Sequence, residues 1–225
     1  MQLYYNEEEV EAGVDEVARG CLLGRVYTAA VIWNKENDPD VDHPVMKDSK
    51  KIPKLKRTQM SEYIKEYAID YSIAYSEAEL IDQKNILKTT HLTMHKALDQ
   101  LNLDIDNILV DGNSFELYRN KNGEIIRHTC IVDGDTKYYP IACASILAKV
   151  AHDQYIVDLC LQYPELDQKY DLLSNMGYGT AKHIEGIKKF GLSPFHRKTF
   201  GICKNYSIKN NCNLVDEALI DDLDI

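Results

Sequence analysis

The chain has 225 residues, 44% of them hydrophobic, and carries a formal net charge of −10, so it is long enough for one sizeable core and acidic overall. It contains no apolar run of membrane-spanning length, and its first eleven residues are polar and acidic. These features predict a soluble, cytoplasmic protein without a membrane-spanning helix or a targeting leader. The six cysteines (Cys21, Cys130, Cys143, Cys160, Cys203 and Cys212) form no Cys-x-x-Cys pair, so the pattern reads as reduced, free thiols and gives no zinc or redox motif.

The negative balance argues against non-specific binding to nucleic acid, but the charge is unevenly spread. One basic block holds Lys47, Lys50, Lys51, Lys54, Lys56 and Arg57, and a second holds Lys182, Lys188, Lys189, Arg197 and Lys198. The acids gather in residues 36–42 and 216–224.

In chain order, the first distinctive stretch is Gly13-Val14-Asp15-Glu16-Val17-Ala18-Arg19-Gly20. Adjacent residues of a strand face opposite sides, so Asp15 and Glu16 reach one cavity only if the strand ends or bends at Glu16, with residues 18–20 as the turn. Residues 25–33 alternate and are β-branched or aromatic, which predicts a strand hairpinned to the first. Residues 34–44 form an acidic loop with two prolines. Pro53 then opens a helix to about Tyr67, with Leu55, Met60, Tyr63 and Ile64 inward and a basic start able to touch phosphate.

Residues 68–77 alternate as a third strand. Asp82 is placed as the cap of a helix carrying Ile86, Leu87, Thr90, Met94, Ala97, Leu98 and Leu101. His91 and His95 sit four apart on it, on a face otherwise suited to the core. Residues 107–110 make a buried strand ending in Asp111-Gly112-Asn113, where α/β sheets present functional side chains, although a plain Asp-Gly turn fits as well. A fifth strand spans 124–132, followed by a turn at 133–135. From Pro140 a helix of small residues can lie close on the sheet and carries Asp153 toward the other acids. Lys149, one turn earlier, could simply pair with Asp153 at the surface. Residues 158–175 finish this helix and continue as a linker. Next come Tyr178, set between two glycines and able to stack on a sugar or base, and a helix from Ala181 to about Phe190. Beyond Lys204 the regular pattern is lost.

These motifs together resemble the type 2 ribonucleases H, and specifically the bacterial-type ribonucleases HII, over residues 11–200. The resemblance rests on Gly13-Val14-Asp15-Glu16, Lys47-Asp48-Ser49-Lys50, Asp111-Gly112-Asn113, Ala144-Ser145-Ile146 with Ala148-Lys149-Val150, Gly177-Tyr178 with Thr180 and His183, and His196-Arg197 with Phe200. It implies a ribonuclease H-like α/β fold: a five-stranded mixed sheet flanked by helices, with a C-terminal helical extension. Residues 1–203 would form the catalytic domain and 204–225 an acidic tail.

It also implies a monomeric endonuclease that cuts the RNA strand of RNA–DNA hybrids and nicks 5′ of ribonucleotides embedded in duplex DNA, leaving 3′-hydroxyl and 5′-phosphate ends. Asp15, Glu16, Asp111 and Asp153 would hold two divalent ions, Mg²⁺ or Mn²⁺, which suit an all-oxygen ligand set. By the same resemblance, substrate binding falls on Ala18, Arg19, Gly20, Lys47, Ser49, Lys50, Asn113, Ser145, Lys149, Tyr178, His196 and Arg197.

The chain departs from the family pattern at Ala18, where glycine is usual, at His152, where arginine usually precedes the fourth acid, and in its acidic tail. The change at Ala18 opens a second reading, a same-fold nuclease acting mainly on long hybrids with weak junction specificity. A non-catalytic hybrid-binding protein would be expected to lack one of the four acids.

Overall fold

The computed structural model describes residues 1–34 and 53–208. They fall into two compact units, unit 1 made of Met1–Arg19 and Arg25–Gln154, and unit 2 of Gly20–Gly24 and Tyr155–Ile225.

Unit 1 is built on a mixed sheet. Strand β1 (Glu11–Val17) pairs antiparallel with β2 (Val26–Ile32), and β2 pairs antiparallel with β3 (Asp70–Ser76). On its other side β1 runs parallel to β4 (Asn107–Asp111), and β4 runs parallel to β6 (Ile125–Ile131). A two-residue strand β5 (Tyr118–Arg119) completes the order β3-β2-β1-β4-β6-β5. The predicted five strands are all present, and β5 is a sixth. It is too short to show alternation and exists because the Asn120–Gly123 turn, with Gly123 at φ +82°, folds the chain back antiparallel onto β6.

Every residue of β2 is buried, as a central run of β-branched and small residues requires. Strand β1 is buried except at Glu16, and it continues through Glu16 to Val17. The bend comes at Ala18, the first residue of the expected turn, whose φ is +73°. Below the sheet, Ala12, Val14, Ala30, Met94, Leu98, Ile108 and Val110 share one core cluster.

Among the helices, α1 (Lys54–Tyr67) buries Met60 and Ile64, but Leu55 is 75% exposed, contrary to expectation. The helix predicted from Asp82 is two helices, α2 (Ala78–Lys84) and α3 (Ile86–Asp99). They part at Asn85, which takes φ +66° and caps α3 by accepting the Lys88 backbone N–H at 3.1 Å. The 133–135 turn grows into a single helical turn, α4 (Gly134–Lys137).

Helix α5 (Tyr139–Gln162) starts against β1, where Gly13 has no room for a side chain. A methyl group there would lie 2.3 Å from the Pro140 carbonyl carbon and 2.4 Å from the Ile141 nitrogen. The only tryptophan, Trp33, is 3% exposed and packs its ring on Tyr139 at 4.7 Å and Tyr63 at 6.0 Å.

Unit 2 holds the end of α5 together with α6 (Pro164–Tyr170), α7 (Leu172–Asn175), α8 (Ala181–Phe190) and a 3-10 turn at Gly201–Asn205. The expected linker at 163–175 is thus two short helices. Pro164 starts α6, and Leu166, Tyr170 and Leu172 bury into a core with Leu23, Ile156 and Ile187. Helices α6 and α8 touch backbone to side-chain position, since a methyl group on Gly186 would stand 2.1 Å from the Lys169 carbonyl oxygen.

The chain stays packed beyond the boundary expected at residue 203. Tyr206 and Ile208 pack on the unit 2 core, and the Leu192 N–H donates to the Ser207 carbonyl at 3.1 Å. A chain ending at Ile208 is the reference for the test of this packing. Truncation after Lys204 removes both apolar side chains and should cost about 1–3 kcal/mol, measured by chemical denaturation.

Candidate active site

Strand β1 delivers Asp15, and the parallel register that aligns Val14 with Val110 makes Asp111 the next residue on the neighbouring strand. Asp15 is buried. Its Oδ1 accepts the backbone N–H of Glu16 at 2.6 Å, and the Ser145 hydroxyl on α5 is also hydrogen-bonded to it. Burial pushes its carboxyl well above the usual range, and the charges of Glu16 and Asp111 push the same way, more than the two hydrogen bonds can offset. Asp111 accepts the Gly134 N–H at 2.7 Å, so the turn that became α4 orients this carboxylate. Glu16 is pinned by the Arg19 guanidinium at 3.0 Å.

Asp153 has the opposite surroundings. Its Oδ2 receives Arg57 Nη1 at 3.1 Å, and its Oδ1 receives Lys149 Nζ at 2.6 Å and lies 3.1 Å from His152 Nδ1. Burial alone would raise this carboxyl, yet the hydrogen bonds from His152 and Lys149 carry it below the usual carboxylate value. The Lys149–Asp153 pair is interior, with side-chain exposures of 15% and 9%, and is not a surface pair. Asp15, Glu16 and Asp111 therefore act on one another as a group of like charges, while Asp153 sits among cations. As the side chains stand, no three His, Cys, Asp or Glu among the described residues converge as ligands of a single ion.

Arg57, in sequence one member of a basic block, is a buried partner of Asp153. Its signal in the sequence was its spacing: positions 57, 60, 61 and 64 are the buried stripe of α1, and a charged residue on a buried stripe needs an acid partner.

The residues expected to bind substrate separate by placement. Lys47, Ser49 and Lys50 lie outside the described residues. Arg19 and Asn113 are exposed, Ala18 is buried, Ser145 faces Asp15, and Lys149 is engaged with Asp153. In unit 2, Gly20–Gly24 threads between two of the predicted motifs. Cys21 forms a bridge with Tyr178, and the Leu22 N–H donates to the Gly177 carbonyl at 2.8 Å. On the other side Leu23 bridges to His196, and Arg197 Nε donates to the Gly24 carbonyl at 2.8 Å.

Tyr178 is 37% exposed, and its ring carbon Cε1 is 4.0 Å from where a Gly20 side chain would begin. His196 and Arg197 are enclosed, at 1% and 0% exposure, with their side chains against protein. His91 and His95 face the carbonyls of Ser114 and Glu116, each at 3.1 Å, and so tie down the 114–116 loop.

The ribonuclease HII family profile matches residues 12–203. A ribonuclease HII of Phocaeicola vulgatus is 40% identical over 199 residues, covering 88% of this chain and 92% of that protein. Among solved structures, the ribonuclease H2 of Pyrococcus horikoshii OT3 superposes with TM-score 0.70 at 22% identity, covering 87% of this chain and 95% of that one. Bst-RNase HIII in complex with Mn²⁺ superposes with TM-score 0.64 at 18% identity, covering 87% and 68%. Both structures share the fold of this chain.

The contrast between the two carboxylates has an energetic consequence. Asp15 binds its proton more tightly when folded, so it opposes folding increasingly as pH rises above the ordinary carboxylate range toward its raised pKa, and at neutral pH it destabilises the metal-free protein. Asp15→Asn should therefore raise metal-free stability at pH 7 by on the order of 1 kcal/mol or more. Asp153→Asn strips the counter-charge from the buried Arg57 and should lower it by about 3 kcal/mol, both read from urea midpoints.

Proposed function

The chain belongs to the ribonuclease HII family and is a ribonuclease of RNA–DNA hybrids, and we propose that it also nicks 5′ of ribonucleotides embedded in duplex DNA by two-metal-ion catalysis, leaving 3′-hydroxyl and 5′-phosphate ends. The observation that carries this reading is the setting of Asp15, a carboxylate raised first by burial and then by the neighbouring charges of Glu16 and Asp111. Such a group of oxygen donors fits a hard divalent ion, Mg²⁺ or Mn²⁺, and the Mn²⁺ complex of the structurally similar ribonuclease HIII supports the same choice.

Asp15, Glu16 and Asp111 would hold the ions, and Asp153 would join them on exchanging one of its cationic partners. When bound, divalent ions supply Lewis-acid stabilisation of the charge that builds on the phosphate and the leaving oxygen. The protein's own part is orientation: Ser145 holds Asp15, the Gly134 amide holds Asp111, and Arg19 holds Glu16 until a cation competes for it.

Recognition of the junction is assigned to the main chain at Ala18, Arg19 and Gly20, which would read the ribose 2′-hydroxyl, and to Tyr178, whose ring would stack on the sugar beyond it. Lys47, Ser49, Lys50, Asn113 and Lys149 are assigned to phosphate and sugar contacts. The closeness of Tyr178 to Gly20 supports this, because both readers then address neighbouring nucleotides. Ala18 supports it too: at φ +73° it keeps a backbone path normally left to glycine, so the turn survives the added methyl group. The chain is proposed to act as a monomer, with the catalytic domain expected over residues 1–203 extended to Ile208 by the packing of Tyr206 and Ile208.

Three outcomes test this reading. Asp15→Asn and Asp111→Asn should each reduce cleavage in Mg²⁺ by a factor of about 10³ or more, and should also abolish the rise in melting temperature that Mg²⁺ or Mn²⁺ gives the wild-type protein. Near-normal turnover in either variant removes the metal assignment. Tyr178→Ala should lower cleavage at a single embedded ribonucleotide about tenfold more than cleavage of a continuous RNA strand. Ala18→Gly relieves a side chain at positive φ and should stabilise the protein by about 1 kcal/mol while changing the ratio of the two cleavage rates by less than about tenfold. A much larger rise in that ratio would favour the long-hybrid reading.

A further inference from the structure

Beneath Tyr178 lies a chain of hydrogen bonds whose direction is set by the one member that can only donate. The backbone N–H of Ser193 points at His196 Nδ1 from 2.9 Å. An amide has only its proton to offer, so His196 Nδ1 is the bare, accepting nitrogen and the ring proton sits on Nε2. That Nε2 faces His183 Nε2 at 3.1 Å, so His196 donates and His183 accepts. The proton of His183 is thereby placed on Nδ1, which donates to the carbonyl of Tyr178 at 3.0 Å. The Ser193 hydroxyl, 2.8 Å from His196 Nδ1, is able to donate in the same sense.

A proton added at His196 Nδ1 would oppose the Ser193 N–H, and one added at His183 Nε2 would oppose the His196 Nε2–H, so either would break the chain. Both rings are enclosed in unit 2 with the Tyr170 ring against them, and burial holds both imidazoles below their usual value, His196 at about 3. Neutral, fixed tautomers are thus the stable state.

Tyr178 needs bracing. It follows Met176 and Gly177, two successive residues at positive φ (+50° and +81°), and its exposed ring projects from this turn. Its carbonyl is held from two directions, by the Thr180 N–H at 2.9 Å and by His183. We propose that His183 and His196 are positioning residues for Tyr178: the relay from Ser193 fixes the main chain under the stacking ring, and so sets how well the enzyme distinguishes a lone ribonucleotide from a continuous RNA strand. This rests on the reading of Tyr178 as the junction's stacking surface. It reassigns His196 from touching substrate to holding the residue that does.

Two measurements test it. The first is the ratio of single-ribonucleotide to continuous-RNA cleavage in His183→Asn, His183→Leu and Tyr178→Ala, alone and combined. Asparagine keeps the N–H at the δ position but loses the acceptor that faces His196 and should lower the ratio about threefold, whereas leucine loses both and should lower it about tenfold and add nothing when Tyr178 is already alanine. Equal loss on both substrates, equal effects of Asn and Leu, or additivity with Tyr178→Ala overturns the proposal.

The second is ¹⁵N NMR of the histidine rings in the wild-type protein, which needs no variant to fold. His183 should carry its proton on Nδ1 and His196 on Nε2, unchanged from about pH 5.5 to about pH 8. The reverse tautomers, or titration of either ring in that range, overturn the relay while leaving the junction reading intact. A wild-type enzyme that does not cut at lone ribonucleotides overturns the specificity role together with the reading it rests on, whatever the spectra show.

Discussion

The candidate site depends first on the bare backbone contact at Gly13. Strand β1 can carry Asp15 beside the Ser145 hydroxyl only because its main chain runs against the first turn of α5, at a separation that a single methyl group would close. The small residues Ala142, Cys143 and Ala144 continue that approach, all fully or almost fully buried. Glycine at 13 and the small-residue run from 142 are therefore two halves of one packing solution, and the position of the acids is its result. Any side chain at Gly13 would push the helix away, and the hydrogen bond to Asp15 with it.

Given that frame, electrostatics divides the four acids into two kinds. Asp15, Glu16 and Asp111 are held near one another by covalent and register constraints, and the charges of Glu16 and Asp111 add to burial in raising the Asp15 carboxyl. Asp153 is already neutralised by Arg57, Lys149 and His152. The presence of His152 where the family usually has arginine leaves Asp153 with a partner whose charge depends on protonation, beside two that are cationic at neutral pH. The chain thus retains a cationic shell around its fourth acid despite that departure.

Much of this was legible in the sequence because it is periodic or stereotyped. Alternation located the five main strands, the small-residue run located α5, and the family motifs named the acids. What was not legible falls into three physical kinds. Short elements such as β5, α4 and α7 hold too few residues for a period to show, and their existence depends on turns at Gly123, Asp133 and Asp171 taking positive φ. The division at Asn85 was missed because a cap inside an apolar pattern interrupts the backbone without interrupting the hydrophobic face. The role of Arg57 was hidden because its partner Asp153 comes from a distant segment, and the roles of His183 and His196 because a buried imidazole declares its type in the sequence, but not the amide, carbonyl or ring it will meet, even nearby along the chain.

Trp33 adds a practical consequence. It is the sole indole of the chain and lies wholly in unit 1, sandwiched with Tyr63 and Tyr139, the latter the first residue of the helix that sets the site. Emission excited at the red edge of the absorption band is therefore an optical label native to unit 1 alone, sensitive to whether α5 still sits on the sheet. Unit 2 is silent at that wavelength and speaks instead through its histidines, so the cooperativity of the two units can be followed without attaching any probe.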